Sequence, residues 1–183
     1  MVLDVSPKWK TYEDYLASLT SRYRKQAKQI EKDVVAAGFQ AELLNGPGEV
    51  ERYAESLHQL YLQTHHNARV RLVTLSPEFL PRLAAQLGEN LRCTIVRRED
   101  ELVGFVTTVR DGETAVGYYI GFDRKTNAEA PIYFRLLQSV VDDAISFGCK
   151  SLSLLAARRL NQRRVSVPAP TCSASGFATV AQC

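Results

Sequence analysis

The sequence predicts an α+β (mixed α/β) fold: one central, mostly antiparallel sheet flanked by helices. Three observations carry this. Residues 11–38 repeat apolar side chains at helical spacing. Residues 91–123 hold three strand-like runs parted by the short polar turns "RED" and "DGE". Residues 130–155 join another apolar-striped helix to one more strand. Helices, then consecutive strands, then helix and strand is the order of a single sheet covered by helices.

Taken in order, "TYEDYLASLTSRYRKQAKQIEKDVVAAG" places Tyr12, Tyr15, Leu16, Leu19, Tyr23, Ala27, Ile30 and Val34 on one stripe. This predicts one long helix capped by Thr11 and stopped at Gly38. "FQAELL" reads as a strand. A second helix is expected over about Val50–Thr64, with Tyr53, Leu57, Leu60 and Tyr61 on its buried face. In "SPEFLPRLAAQLGE", Ser76 is the expected cap and Pro77 the first-turn residue. "LRCTIVRRE", "ELVGFVTTVRD" and "TAVGYYIGFD" are then the strands of a meander. In "APIYFRLLQSVVDDAISFG", Ile132, Leu136, Val140 and Ile145 form the stripe, Asp142 and Asp143 fall to the surface, and Gly148 ends the helix; "CKSLSLL" returns as a strand.

The 183 residues suffice for one core, and a 45% hydrophobic, 23% charged composition is ordinary for a globular chain. The formal charge of +3 depends on four arginines after residue 154, a segment without acids, so residues 1–154 sit near −1. A basic character confined to one segment argues against DNA as a partner. No apolar run approaches the roughly 18 residues of a membrane helix, and "MVLDVSPKWK" has no signal core; a cytoplasmic location is expected. The four cysteines form no CxxC pair and no Cys/His cluster, so no metal is expected.

Three stretches, "YEDYLASLTSRYRKQAKQIEK", "LVGFVTTVRDGETAVGYYIGFDRK" and "APIYFRLLQSVVDDAISFGCKSLSL", resemble the GNAT acyltransferases, and more narrowly the BioF-like acetyltransferase domain related to the Fem aminoacyltransferases. The resemblance covers residues 9–154. It implies a GNAT-like sheet, incomplete at the C-terminus, in a chain lacking the first of two such domains. It also implies transfer of an acyl group from acetyl-CoA, another acyl-CoA or an aminoacyl-tRNA onto a small-molecule or glycan-precursor amine, possible cell-envelope material. The runner-up is a non-catalytic binding module or inactive remnant.

Such chemistry needs a splayed strand that offers backbone to the donor, a phosphate site, a proton acceptor and an oxyanion donor. "VGYYIGFDRKTNAEAP" occupies the place of the strand and phosphate loop. Gly117 and Gly121 permit close approach of a ligand, or mark two bulges; Arg124 and Lys125 are the cations available to a cofactor, although the family's glycine-rich pyrophosphate loop is absent. Tyr118 and Tyr119 alternate across the strand, which leaves Tyr119 as candidate proton donor or as core. In "HHNARVR", His66 beside His65 is the candidate base, with solvated histidines the plainer reading, and Arg69 a candidate substrate ligand. The resemblance places Arg24 and Lys25 near the acceptor, where a solvated basic face is the alternative.

After Leu154 the hydrophobic rhythm ends. Under one codon assignment, reading from the third base of the Leu155 codon gives Gly-Arg-Thr-Ala-Leu-Glu-Pro-Lys and a continuation like the family's own phrase after this strand. Residues 9–154 are therefore expected to be a partial domain and 155–183 an irregular, out-of-frame tail that impairs this copy; a disordered tail suits the composition too.

Overall fold

The computed structural model describes residues 2–66 and 74–154. Strands β1 (Val2–Asp4), β2 (Gln40–Leu43), β3 (Leu91–Arg98), β4 (Glu101–Asp111), β5 (Thr114–Phe122) and β6 (Ser151–Leu154) form one sheet in the order β1-β6-β5-β4-β3-β2. Neighbours are antiparallel except β5 and β6, which are parallel. The β3–β5 meander follows the two polar turns, where Glu99 (φ 52°) and Gly112 (φ 57°) take the left-handed backbone of tight connections. β1 is absent from the sequence reading. Three residues are too short for alternation to register, and the strand exists by pairing with β6.

The long first helix is two: α1 (Tyr12–Ser18) and α2 (Ser21–Ala36). Thr11 caps α1 through a reciprocal box with Asp14. The break lies at Leu19 and Thr20, both extended. The carbonyls it frees are taken by Arg24, whose Nη2 donates to Ala17 O at 3.0 Å and Leu19 O at 2.9 Å. The second predicted helix also divides, into α3 (Pro47–Arg52) and α4 (Ala54–His66), because Tyr53 leaves helical geometry (ψ 7°). α5 (Phe79–Leu87) begins after a turn in which the Phe79 amide bonds Ser76 O. Ser76 and Pro77 thus precede the helix, and Glu78 is its cap residue.

Helices α1, α2 and α7 (Ile132–Ser146) cover one face of the sheet over Val96, Val106, Ala115 and Leu152. Helices α3, α4 and α5 cover the other over Ile95 and Phe105. Asp143 is not at the surface. It is 4% exposed, accepts from Thr108 Oγ1 at 2.7 Å and pairs with Arg92 at 3.3 Å. One helical turn beyond Val140 and Ser139, it shares their inward face, and a carboxylate there needs such partners. Burial nonetheless holds its carboxyl above the usual range, against the pull of Thr108 and Arg92. Cys93 and Cys149 are buried free thiols, and burial with Asp143 nearby pushes Cys93 up to about 12.

Candidate functional site

The sheet is interrupted at one place that matters. β4 and β5 pair Val106 with Ile120 and Thr108 with Gly117, so Thr107 faces both Tyr118 and Tyr119 across a bulge. The Thr107 hydroxyl repairs the ladder: it accepts the Tyr119 amide at 3.0 Å and donates to Tyr119 O at 3.4 Å. On its other edge β5 pairs with β6 only from Thr114 to Gly117. From Tyr118 onward that edge has no partner strand among the described residues.

The bulge overturns the expected alternation of the two tyrosines. Their ring centroids lie 4.5 Å apart rather than on opposite faces. Tyr119 meets Tyr61 of α4 and Phe79 of α5 edge-to-face, each at 5.7 Å. Burial, then Tyr118, pushes its phenol up to about 12. His58, Tyr61, Leu75, Pro77, Leu80 and Tyr119 line a crevice of about 10 Å³, the size of one water.

The two glycines serve this packing. A Cβ on Gly121 would stand 2.5 Å from Phe105 Cε1 and 2.8 Å from the Leu60 backbone; one on Gly117 would meet Leu154 at 2.9 Å and Val140 at 3.2 Å. They admit the protein's own chain, on the helix-covered faces.

The segment read as a phosphate loop is a helix. Arg124 and Lys125 are exposed on its first turn, α6 (Arg124–Glu129), capped by Asp123, whose carboxylate accepts the Thr126 amide at 2.7 Å. At the start of α7 the Tyr133 amide is taken by Asn127 Oδ1 at 2.8 Å and the Ile132 amide by Ala130 O at 2.7 Å. The Thr126, Ile132 and Tyr133 amides are thus satisfied internally, the first of them by a carboxylate. These residues do not fit the coenzyme A pyrophosphate. Arg24 is engaged at the α1–α2 break, and Lys25 is exposed on α2. His66 closes α4, and Arg69 lies outside the described residues.

His65, read as a solvated connector residue, is helical and half-buried. It stacks on Tyr61 at 5.1 Å and hydrogen-bonds Tyr61 OH and Thr74 Oγ1, each at 3.2 Å. The i, i+4 spacing of Tyr61 and His65 was the available signal; it extends the helix beyond Thr64. Thr107 gave no signal, because a bulge is decided by pairing.

Among the described residues no group of three or more His, Cys, Asp or Glu side chains could hold a metal ion, and no helix is long and apolar enough to cross a membrane.

A six-stranded, mostly antiparallel sheet with one parallel pair, β5 and β6, and helices on both faces defines the GNAT class. The family model described as the acetyltransferase (GNAT) domain matches residues 17–159, and the chain belongs to that family. Among solved structures it is similar to FemX (TM-score 0.60, 10% identity, 83% of this chain and 51% of that one). It is also similar to L-PGS from Bacillus licheniformis (0.55, 12%, 82% and 42%). A third is an aminoglycoside acetyltransferase from an uncultured soil metagenomic sample, solved with sisomicin (0.54, 14%, 81% and 99%). The chain spans about half the length of FemX and somewhat less of L-PGS. No curated protein matches it in sequence.

Proposed function

We propose that the chain is the acyl-transferring domain of an N-acyltransferase whose acceptor is a small-molecule or glycan-precursor amine. The observation that carries this is the match to the acetyltransferase (GNAT) family model over residues 17–159, and the bulge at Tyr118–Tyr119 gives that domain two phenols side by side on β5. The acceptor nitrogen attacks the acyl carbon; the C–N bond forms as the C–O or C–S bond of the donor breaks. Tyr119, which stays protonated at neutral pH, gives a proton to the departing group. The amine proton passes to the end of α4, where His65 and His66 adjoin. Lys125, just past β5, attracts the donor's anionic part, and Lys25 and Arg69 are reserved for the acceptor.

With the Thr126, Ile132 and Tyr133 amides already satisfied, no step is routed through coenzyme A, and an aminoacyl ester is the favoured donor. The same satisfied amides favour one other reading, a GNAT-like module that binds without catalysis. Mass spectrometry of an amine panel incubated with the protein decides. Amide product from aminoacyl-tRNA, with none from acetyl-CoA, supports the proposal. No product from either donor, with a partner still bound, supports the module.

A further inference from the structure

Helix α4 turns three ring side chains, His58, Tyr61 and His65, toward the chain at Thr74 and Leu75. His58 Nε2 lies 2.9 Å from Leu75 O, the Leu75 amide reaches Tyr61 OH at 3.4 Å, and His65 bridges from Tyr61 OH to Thr74 Oγ1. One arrangement satisfies all of these contacts: the Tyr61 oxygen accepts the Leu75 amide and donates to His65 Nδ1, while His65 Nε2 donates to Thr74. In that arrangement neutral His65 presents its basic nitrogen to Tyr61, and that phenol shares the crevice with Tyr119.

From this geometry we infer that Tyr61 and His65 form a proton-linked pair that takes the acceptor's proton. Tyr61 is the group at the crevice, and His65 positions and recharges it. As the C–N bond forms, the amine proton moves to the Tyr61 oxygen while the phenolic proton moves to His65 Nδ1. The pair ends as neutral tyrosine and imidazolium, so charge and protons balance. The inference rests on the acyltransferase reading and deepens it, because that reading needs only some acceptor at the end of α4.

The groups that bias the pair come from several elements. His58 lies on α4 itself, stacked on Tyr61 at 6.1 Å. Tyr119 faces Tyr61 from β5, with Tyr118 against Tyr119. Glu78, whose carboxyl Ser76 and its own amide hold low, and Arg82 lie at the start of α5, with Glu78 also influenced by His58. The negative Glu78 is thus balanced locally, and Tyr61 OH lies 3.2 Å from His65 Nδ1.

Two measurements on the full chain test the inference. Nitrogen-15 NMR of the His65 ring reads its tautomer at one fixed pH. A proton on Nε2 with Nδ1 accepting is expected, and Tyr61→Phe should move the Nδ1 resonance. A proton on Nδ1, or no response to Tyr61→Phe, overturns the pair. In the amine-acylation assay with aminoacyl-tRNA, His65→Ala should lower kcat about 100-fold, leave KM within twofold, abolish the acid limb of the pH profile and regain rate with added imidazole. A His65→Ala enzyme that keeps the acid limb overturns the inference while leaving the acyltransferase reading intact. The Nε2 tautomer without any transfer by the wild-type chain overturns that reading and sustains the linkage.

Discussion

The Thr107 hydroxyl and the Tyr119 backbone are joined twice, with the amide donating to Oγ1 at 3.0 Å and Oγ1 donating to the carbonyl at 3.4 Å. One side chain thereby replaces the ladder bonds that the bulge removes. Thr107 is 1% exposed, so water cannot substitute for it.

Thr107→Val should destabilise the fold by about 1–3 kcal/mol, the cost of leaving a buried backbone group unpaired. Thr107→Ser keeps the hydroxyl, loses one methyl and should cost about 1 kcal/mol. Hydrogen exchange separates them: the Tyr119 amide stays protected in the serine variant and exchanges freely in the valine variant.

Gly121→Ala should be worse than Gly117→Ala. The first drives a methyl into the Leu60 backbone, which cannot turn away; the second meets the ends of Leu154 and Val140 side chains, which can. Overpacking costs of about 3 and about 1 kcal/mol are expected, read by urea denaturation. Equal losses would contradict the geometry.

Asp143 sets a pH dependence with an unusual sign. Its native carboxyl titrates above the usual 3.8 because burial outweighs Thr108 and Arg92. A raised pKa means that the native state holds the extra proton. The stabilisation is complete below pH 3.8 and declines as pH rises through the native value. Asp123, held low first by the Thr126 amide, does the opposite and loses its contribution as the medium becomes acidic. Stability of Asp143→Asn measured against wild type should therefore show its largest deficit at low pH and a shrinking one as pH rises.

Tyr119→Phe should remove a phenol that ionises at about 12 from the ultraviolet titration. Because that pKa is raised, the phenol supports folding until pH climbs through about 12. The same substitution should lower kcat for amine acylation about 100-fold with little change in KM. An unchanged kcat would return Tyr119 to a packing role.

The out-of-frame reading of residues 155–183 makes its own demand. A chain ending at Leu154 should unfold at the same urea concentration as the full chain, and the coding DNA should carry the family-like phrase in the shifted frame. A drop in midpoint on truncation, or codons incompatible with that phrase, would end it. Restoring the frame should raise transferase activity.

The sequence by itself determined the meander and the helix stripes, because each rests on local periodicity and turn chemistry, and it carried the GNAT class as a resemblance. Val140 and Leu136 repeat at helical spacing wherever they pack. Tertiary structure decided what depends on a neighbour distant in the chain. It split the long helices at Leu19 and Tyr53, where capping by Arg24 and packing against the sheet outweigh an uninterrupted stripe. It buried Asp143 against Thr108, 35 residues away, closed the supposed phosphate loop on itself, and turned Tyr118 and Tyr119 to one side. No periodicity encodes a bulge: a register shift is a property of two strands together, and the site is built on one.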